Sequence, residues 1–139
     1  MHGYSICCLA ERSISSHVVI RELERIAEMH EIFPLSIMID NGPEFTSRAF
    51  LSWAQYRQIE LVFIEPGKPT QNAYIESFNG KFRDECLNMN WFMNLDQAKE
   101  IIENWRDDYN YNRPHSSLNY LTPNHFKNQE LLSNTLVPK

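Results

Sequence analysis

Leu35-Ser36-Ile37-Met38-Ile39 is an apolar run too short for a helix, closed by Asp40 and cut off by Asn41-Gly42-Pro43. A run of this kind between turn residues reads as a buried strand. Helical periodicity flanks it on both sides. Upstream, Ser15 or Ser16 offers an N-cap, and Val19, Ile20, Leu23, Ile26 and Ala27 share a face as far as about His30. Downstream, Thr46 or Ser47 can cap a helix whose apolar face is Ala49, Phe50, Trp53, Ala54 and Tyr56. Residues 5–10 and Ile59 to Ile64 read as further strands, the latter rich in β-branched and aromatic residues. Strands alternating with helices predict an α/β layer fold.

Glu65-Pro66-Gly67-Lys68-Pro69 must be a loop, because proline and glycine break regular structure there. A long helix is expected from Gln71 to Asn88. Tyr74, Phe78, Phe82 and Cys86 form its apolar stripe, expected to pack on the sheet. Asn72, Glu76, Asn79 and Arg83 fall within about 60° of one another on a polar stripe. A solvated face explains such a stripe as well as a reactive one does. A further helix starts near Asn94, with Gln97 completing a possible capping box and Ala98, Ile101, Ile102, Trp105 and Tyr109 on its apolar face. Asn110 to Phe126 is polar and broken by prolines.

The chain's 139 residues suit one domain, and 42% hydrophobic with 22% charged residues is an ordinary globular composition. No apolar stretch is long enough to span a bilayer, and no secretory signal pattern opens the chain, so a cytoplasmic location is expected. Cys7, Cys8 and Cys86 suit neither a disulfide framework nor a zinc site and read as small apolar residues. The net charge of −5 argues against a free-standing nucleic-acid binder, although a carboxylate cluster that carries metal is acidic by construction.

Asp40 at a strand's end and Glu76 on a helix face are oxygen donors that can share a hard divalent cation. Such sites clamp the attacking and leaving oxygens in phosphoryl transfer. Each has a plainer reading. Asp40 can form an Asx-turn with Asn41-Gly42, and Glu76 can be a solvated helix residue. Trp53, Phe78 and Trp105 read as core. Arg113 and His115 can pin the C-terminal loop to the body.

Asp40-Asn41-Gly42-Pro43-Glu44-Phe45, Pro66-Gly67-Lys68-Pro69-Thr70-Gln71-Asn72, Ile75-Glu76-Ser77-Phe78-Asn79-Gly80 and Arg83-Asp84-Glu85-Cys86-Leu87 are collinear motifs. Together with Tyr109-Asn110, Arg113-Pro114-His115-Ser116-Ser117-Leu118 and Thr122-Pro123, they resemble the transposases of IS-three-like bacterial insertion sequences. That group belongs to the retroviral-integrase (DDE) superfamily. The resemblance runs from about Tyr4 to Phe126. It implies a ribonuclease H-like integrase catalytic core with two Mg²⁺ or Mn²⁺ ions. Asp40 matches the second acid of the triad and Glu76 the third. Arg83 matches a basic residue used near DNA ends, and Lys68 a loop contact to the DNA backbone. Asn72 and Asn79 are implied orienters or DNA contacts, and Arg113 a further DNA-positioning residue. The implied chemistry is DNA transposition: attack on a phosphodiester by water and then by a DNA 3′-hydroxyl. Implied partners are transposon-end and target DNA, and further copies of the chain or full-length transposase.

The resemblance also sets expectations about what is missing. The family's first acid lies on the first strand, and this chain matches from the segment after the second. Glu11 is the sole acid before the first helix and does not match that acid. The expected organisation is a partial catalytic core over residues 1–126, lacking the first two strands of the sheet, and a C-terminal tail over 127–139. A truncated transposase inactive alone is the leading expectation. The alternatives are a non-enzymatic inhibitor that binds full-length transposase or DNA ends, and a decayed remnant.

Overall fold

Ser15, in extended conformation, precedes the first helix, α1 (Ser16–His30), which ends where Glu31 turns left-handed and Ile32 N–H donates to the Ala27 carbonyl (3.1 Å). The structure, a computed structural model, describes residues 7–68 and 73–135. Strand β1 (Ser36–Ile39) follows, then a one-turn helix α2 (Pro43–Thr46) and α3 (Arg48–Tyr56). Extended Ser47 separates the two helices, and its hydroxyl accepts from Phe50 N–H at 3.2 Å. Strand β2 (Glu60–Phe63) runs parallel to β1 with Ser36 opposite Glu60 and Ile39 opposite Phe63. Parallel neighbours need a crossover connection, and α2 and α3 supply it.

β1 is not the buried strand its apolar run predicts. Ile39 is buried and Ile37 half-buried, whereas Ser36 and Met38 are exposed, as is Val62 opposite Met38. Alternate side chains leave opposite faces of a strand. Among the described residues the face with Ile37, Ile39 and Leu61 is partly covered, with Phe63 at its end exposed, and the other face is open. Residues 7–10 form no strand, and Ser5 and Ile6 lie outside the described residues.

The chain divides into two compact units, one of residues 11–73 and one of residues 1–10 with 74–139. In the first, Ala27, Ile39, Phe50, Ala54 and Ile59 are buried, and Phe50 meets the rings of Phe45 and Trp53 at centroid distances of 5.4 Å. Trp53 Nε1 donates to Glu24 Oε1 (2.5 Å) and Arg57 Nη2 pairs with Glu24 Oε2 (2.6 Å). The Trp53 hydrogen bond, aided by Arg57 and opposed by burial, lowers the Glu24 pKa. Tyr56 leaves the predicted apolar face and is 80% exposed.

In the second unit, α4 (Ala73–Phe82) passes without a break into a π-helical turn (Arg83–Leu87), closed by Asn88 N–H donating to the Arg83 carbonyl at 2.8 Å. Helix α5 (Leu95–Tyr111) is capped as its sequence predicts. Asn94 Oδ1 accepts from Gln97 N–H (2.8 Å), and Gln97 Oε1 accepts from Met93 N–H (2.7 Å). Cys86, Ile102, Trp105 and Tyr109 make the core, joined by Phe78, Phe82, Ile101, Cys8 and Ala10. The apolar stripe of α4 thus finds its partners in the aromatics of α5, where the stripe alone suggested a sheet. Tyr74, at the head of that stripe, is 60% exposed.

Beyond α5, a short 3₁₀ turn (Ser116–Leu118) leads to left-handed Asn119 and Tyr120, and Leu121 N–H donates to the Leu118 carbonyl (3.0 Å). His115 N–H donates to the Leu121 carbonyl (3.0 Å) in an isolated antiparallel bridge. Helix α6 (Pro123–Thr135) runs on past Phe126.

Candidate nucleic-acid and metal site

Asp40 sits one residue past β1 with its carboxylate exposed, at the point where the backbone must turn into α2. Its Oδ1 accepts from Gly42 N–H at 2.9 Å, the Asx-turn that is the plainer reading of this residue. That bond uses one oxygen and leaves Oδ2 without a hydrogen-bond partner among the described residues. A Cβ on Gly42 would lie 2.8 Å from Glu44 Oε1 and 3.0 Å from Asp40 Oδ1. Two carboxylates therefore crowd the space that glycine leaves. Glu44 was not singled out from sequence, and the signal for it is the proline after the turn: Pro43 at the first helical position brings the next residue back toward the strand's end.

Glu76 lies on α4, exposed, with no hydrogen bond or ion pair among the described residues. Asn79 and Arg83 are also exposed and equally unpaired there. Phe78 and Phe82, on the other side of α4, stack at 6.1 Å and pack against Trp105. This packing holds the polar stripe outward. Asn72 lies outside the described residues, as does the predicted helix start at Gln71.

Lys68 follows a turn with Pro66 and left-handed Gly67 at its centre, closed by Lys68 N–H donating to the Glu65 carbonyl (3.3 Å). Its ammonium pairs with Glu65 Oε2 at 2.5 Å, both side chains more than half exposed. Such surface pairs are worth about 0–1 kcal/mol and yield readily to a phosphate. Arg113 is held differently. Its guanidinium pairs with Glu85, donates to Asp108 Oδ2 (2.6 Å) and lies 5.7 Å from the Trp105 ring centroid. Glu85 is remote from Arg113 in sequence, so no local spacing announces this contact.

His115 is buried with Nε2 unpartnered, its ring edge-on to Tyr109 at 4.6 Å. Burial, and the nearby Lys81 and Arg113 cations, push its pKa down against a backbone hydrogen bond with Tyr109. Burial raises the pKa values of Tyr109 and Cys86.

Asp40 belongs to one compact unit, and Glu76, Asn79, Arg83 and Arg113 to the other. Among the described residues, no three His, Cys, Asp or Glu side chains gather into a metal-holding group, and no helix is long and apolar enough to cross a membrane.

Two descriptions of the integrase core domain match the chain, one over residues 2–69 and the other over residues 57–123. A 39.2 kDa protein of insertion element IS476 from Xanthomonas euvesicatoria is 52% identical over 122 residues, covering 88% of this chain and 35% of that protein. A 31.7 kDa protein of IS407 from Burkholderia multivorans is 53% identical over 118 residues, covering 85% of this chain and 42% of that protein. The putative transposase InsK of IS150 from Escherichia coli is 27% identical over 90 residues, covering 65% of this chain and 32% of that protein. The chain thus spans less than half the length of these relatives. In backbone, it resembles the catalytic core domain of BIV integrase with a TM-score of 0.64, at 14% identity over 87% of this chain and 76% of that one. That likeness gives the fold, a ribonuclease H-like α/β core. Fold, matched span and relatives agree, and the chain belongs to the integrase core family of insertion-sequence transposases.

Proposed function

We propose that this chain serves DNA transposition as part of a polynucleotidyl-transfer core, with Asp40 and Glu76 as its metal-binding carboxylates. The observation that carries the proposal is the unpaired, outward stripe of Glu76, Asn79 and Arg83 on a helix whose other side is locked into an aromatic core. An acid, an amide and a guanidinium left in water on one face suit a phosphate backbone and its cation better than they suit protein packing. Asp40 supports the reading with a carboxylate oxygen that its Asx-turn leaves open.

The donor set is oxygen only, which fits Mg²⁺ or Mn²⁺ rather than zinc or copper. Asp40, with Oδ2 open, and Glu76 are each proposed as a carboxylate ligand for such an ion. When bound, it would supply charge neutralisation on the phosphodiester and activation of the attacking oxygen. Arg83 and Lys68 hold phosphates beside the scissile bond, and Asn79 and Asn72 orient the strand. The proposed activity of this chain by itself is metal-dependent DNA-end binding. Further copies of the chain and full-length transposase are its proposed partners in assembly.

Fluorescence anisotropy with a labelled duplex carrying an element end tests the proposal. Binding should require Mg²⁺ or Mn²⁺ and fall in Glu76→Gln, and Arg83→Ala should lower the salt slope by about one. Binding that ignores both the metal and these substitutions would sink it. DNA binding without metal dependence, combined with inhibition of a full-length transposase in trans, would favour the non-enzymatic reading.

A further inference from the structure

Two arginines of the second unit have opposite surroundings. Arg83 is exposed and its side chain has no partner among the described residues. Arg113 is engaged on three sides, by Glu85, by Asp108 and by the Trp105 ring. Its planar fork suits this task, since it can pair with two carboxylates in different directions while its face lies over an indole, which an ammonium cannot do.

The contacts converge on an unusual piece of backbone. Glu85 lies in the π-helical turn Arg83–Leu87, and Arg83 is that turn's first residue. Isolated π turns are rare and occur frequently at functional sites. This one is held on its inner side by Cys86, fully buried against α5, and by Asn90 Nδ2 donating to the Cys86 carbonyl at 2.7 Å. On its outer side the tie is Glu85 to Arg113. Asp108, in the last turns of α5, anchors the far end and also accepts from Asn112 Nδ2 at 3.3 Å.

We propose that Arg113 is a positioning residue: by bridging Glu85 to Asp108 across Trp105, it fixes the π-helical turn and so aims Arg83 outward, and it does not itself contact DNA. The clamp stands on its own geometry, while the consequence for Arg83 rests on the DNA-binding reading above. The two arginines divide the work, one guanidinium held inward so that the other is presented.

Glu85→Gln separates this from direct DNA contact by sign. The substitution removes a negative charge and releases Arg113, so an Arg113 that bound phosphate would grip DNA more tightly. A clamp predicts the reverse, a weakening of about fivefold that disappears in an Arg83→Ala background. Amide hydrogen exchange at Arg83–Asn88 supplies the second reading. It should accelerate in Glu85→Gln and Arg113→Ala, and Arg113→Lys should fail to restore protection. Tighter DNA binding by Glu85→Gln, or losses from Arg113→Ala and Arg83→Ala that multiply independently, would overturn the proposal. If the unsubstituted chain binds no element-end duplex, the DNA-binding reading fails, and exchange alone decides the clamp: unchanged exchange at Arg83–Asn88 in Glu85→Gln overturns it.

Discussion

A methyl group on Gly42 would meet the Glu44 and Asp40 carboxylates at 2.8 Å and 3.0 Å, closer than carbon and oxygen tolerate. The glycine has an ordinary negative φ, so contact rather than backbone strain makes the position selective. Glu44 can swing aside, and the fold survives. Gly42→Ala should therefore cost less than about 1 kcal/mol in urea unfolding. Its Mg²⁺-dependent DNA binding should nevertheless drop measurably. His115 offers a second expectation at this scale. Its ring is buried, faces Lys81 from α4 and Arg113 from the following loop, and has no acceptor for a proton on Nε2. Above the usual histidine value of about 6.5 the ring is neutral in both folded and unfolded chains. As pH falls below that value the unfolded chain takes up the proton first, so stability is lost until the folded ring titrates as well. Urea midpoints at pH 7.5 and 5.5 should show this acid loss, and the part due to His115 should vanish in His115→Gln.

At the scale of elements, α5 holds the second unit's core, and its start depends on one side chain. Asn94 Oδ1 is the acceptor for Gln97 N–H, so Asn94→Ala should cost about 1 kcal/mol, read as a lower urea midpoint with an unchanged slope. This helix was legible because its signals agree: a cap at Asn94, a returning Gln97, and apolar residues at helical spacing. α1 was legible from the helical spacing of its apolar face, although Ser15 makes no side-chain cap bond, β1 from an apolar run between turn residues, and β2 from β-branched and aromatic residues. Other features had no local signature. β1 reads as buried because four of its five apolar-run residues are hydrophobic, yet only covering elements decide whether Met38 sees water. Ser47 caps α3 as the sequence allowed, whereas the separate helical turn α2 before it carried no such signal. The π turn at Arg83–Leu87 has Cys86 in the core, as its apolar stripe anticipates, and Glu85 on Arg113, a contact that no local spacing encodes. Of the candidate site, Asp40, Glu76, Asn79 and Arg83 were named from their motifs, and all four are exposed in the structure. Arg113 was open between DNA and structure in the sequence, because of its two acidic partners only Asp108 is near it in the chain.

For the whole molecule, a net charge of −5 sets the terms of any encounter with DNA. On the proposed DNA-binding reading, divalent cations mask the carboxylates and a few guanidinium and ammonium groups meet phosphates. With Arg83 and Lys68 as those groups, log K against log salt should be shallow, with a slope near about −2 in Mg²⁺. A slope several times steeper would mean a larger basic footprint than these residues provide. The three tryptophans also give the chain an optical signature. Trp53 is half-buried and hydrogen-bonded to Glu24, Trp105 is buried among aromatic rings, and Trp91 is 90% exposed. Iodide should quench the red-shifted emission of Trp91 and leave most of the rest. In Trp91→Phe, the remaining light comes from one indole in each compact unit, so single-tryptophan versions can report the melting of either unit without an added dye.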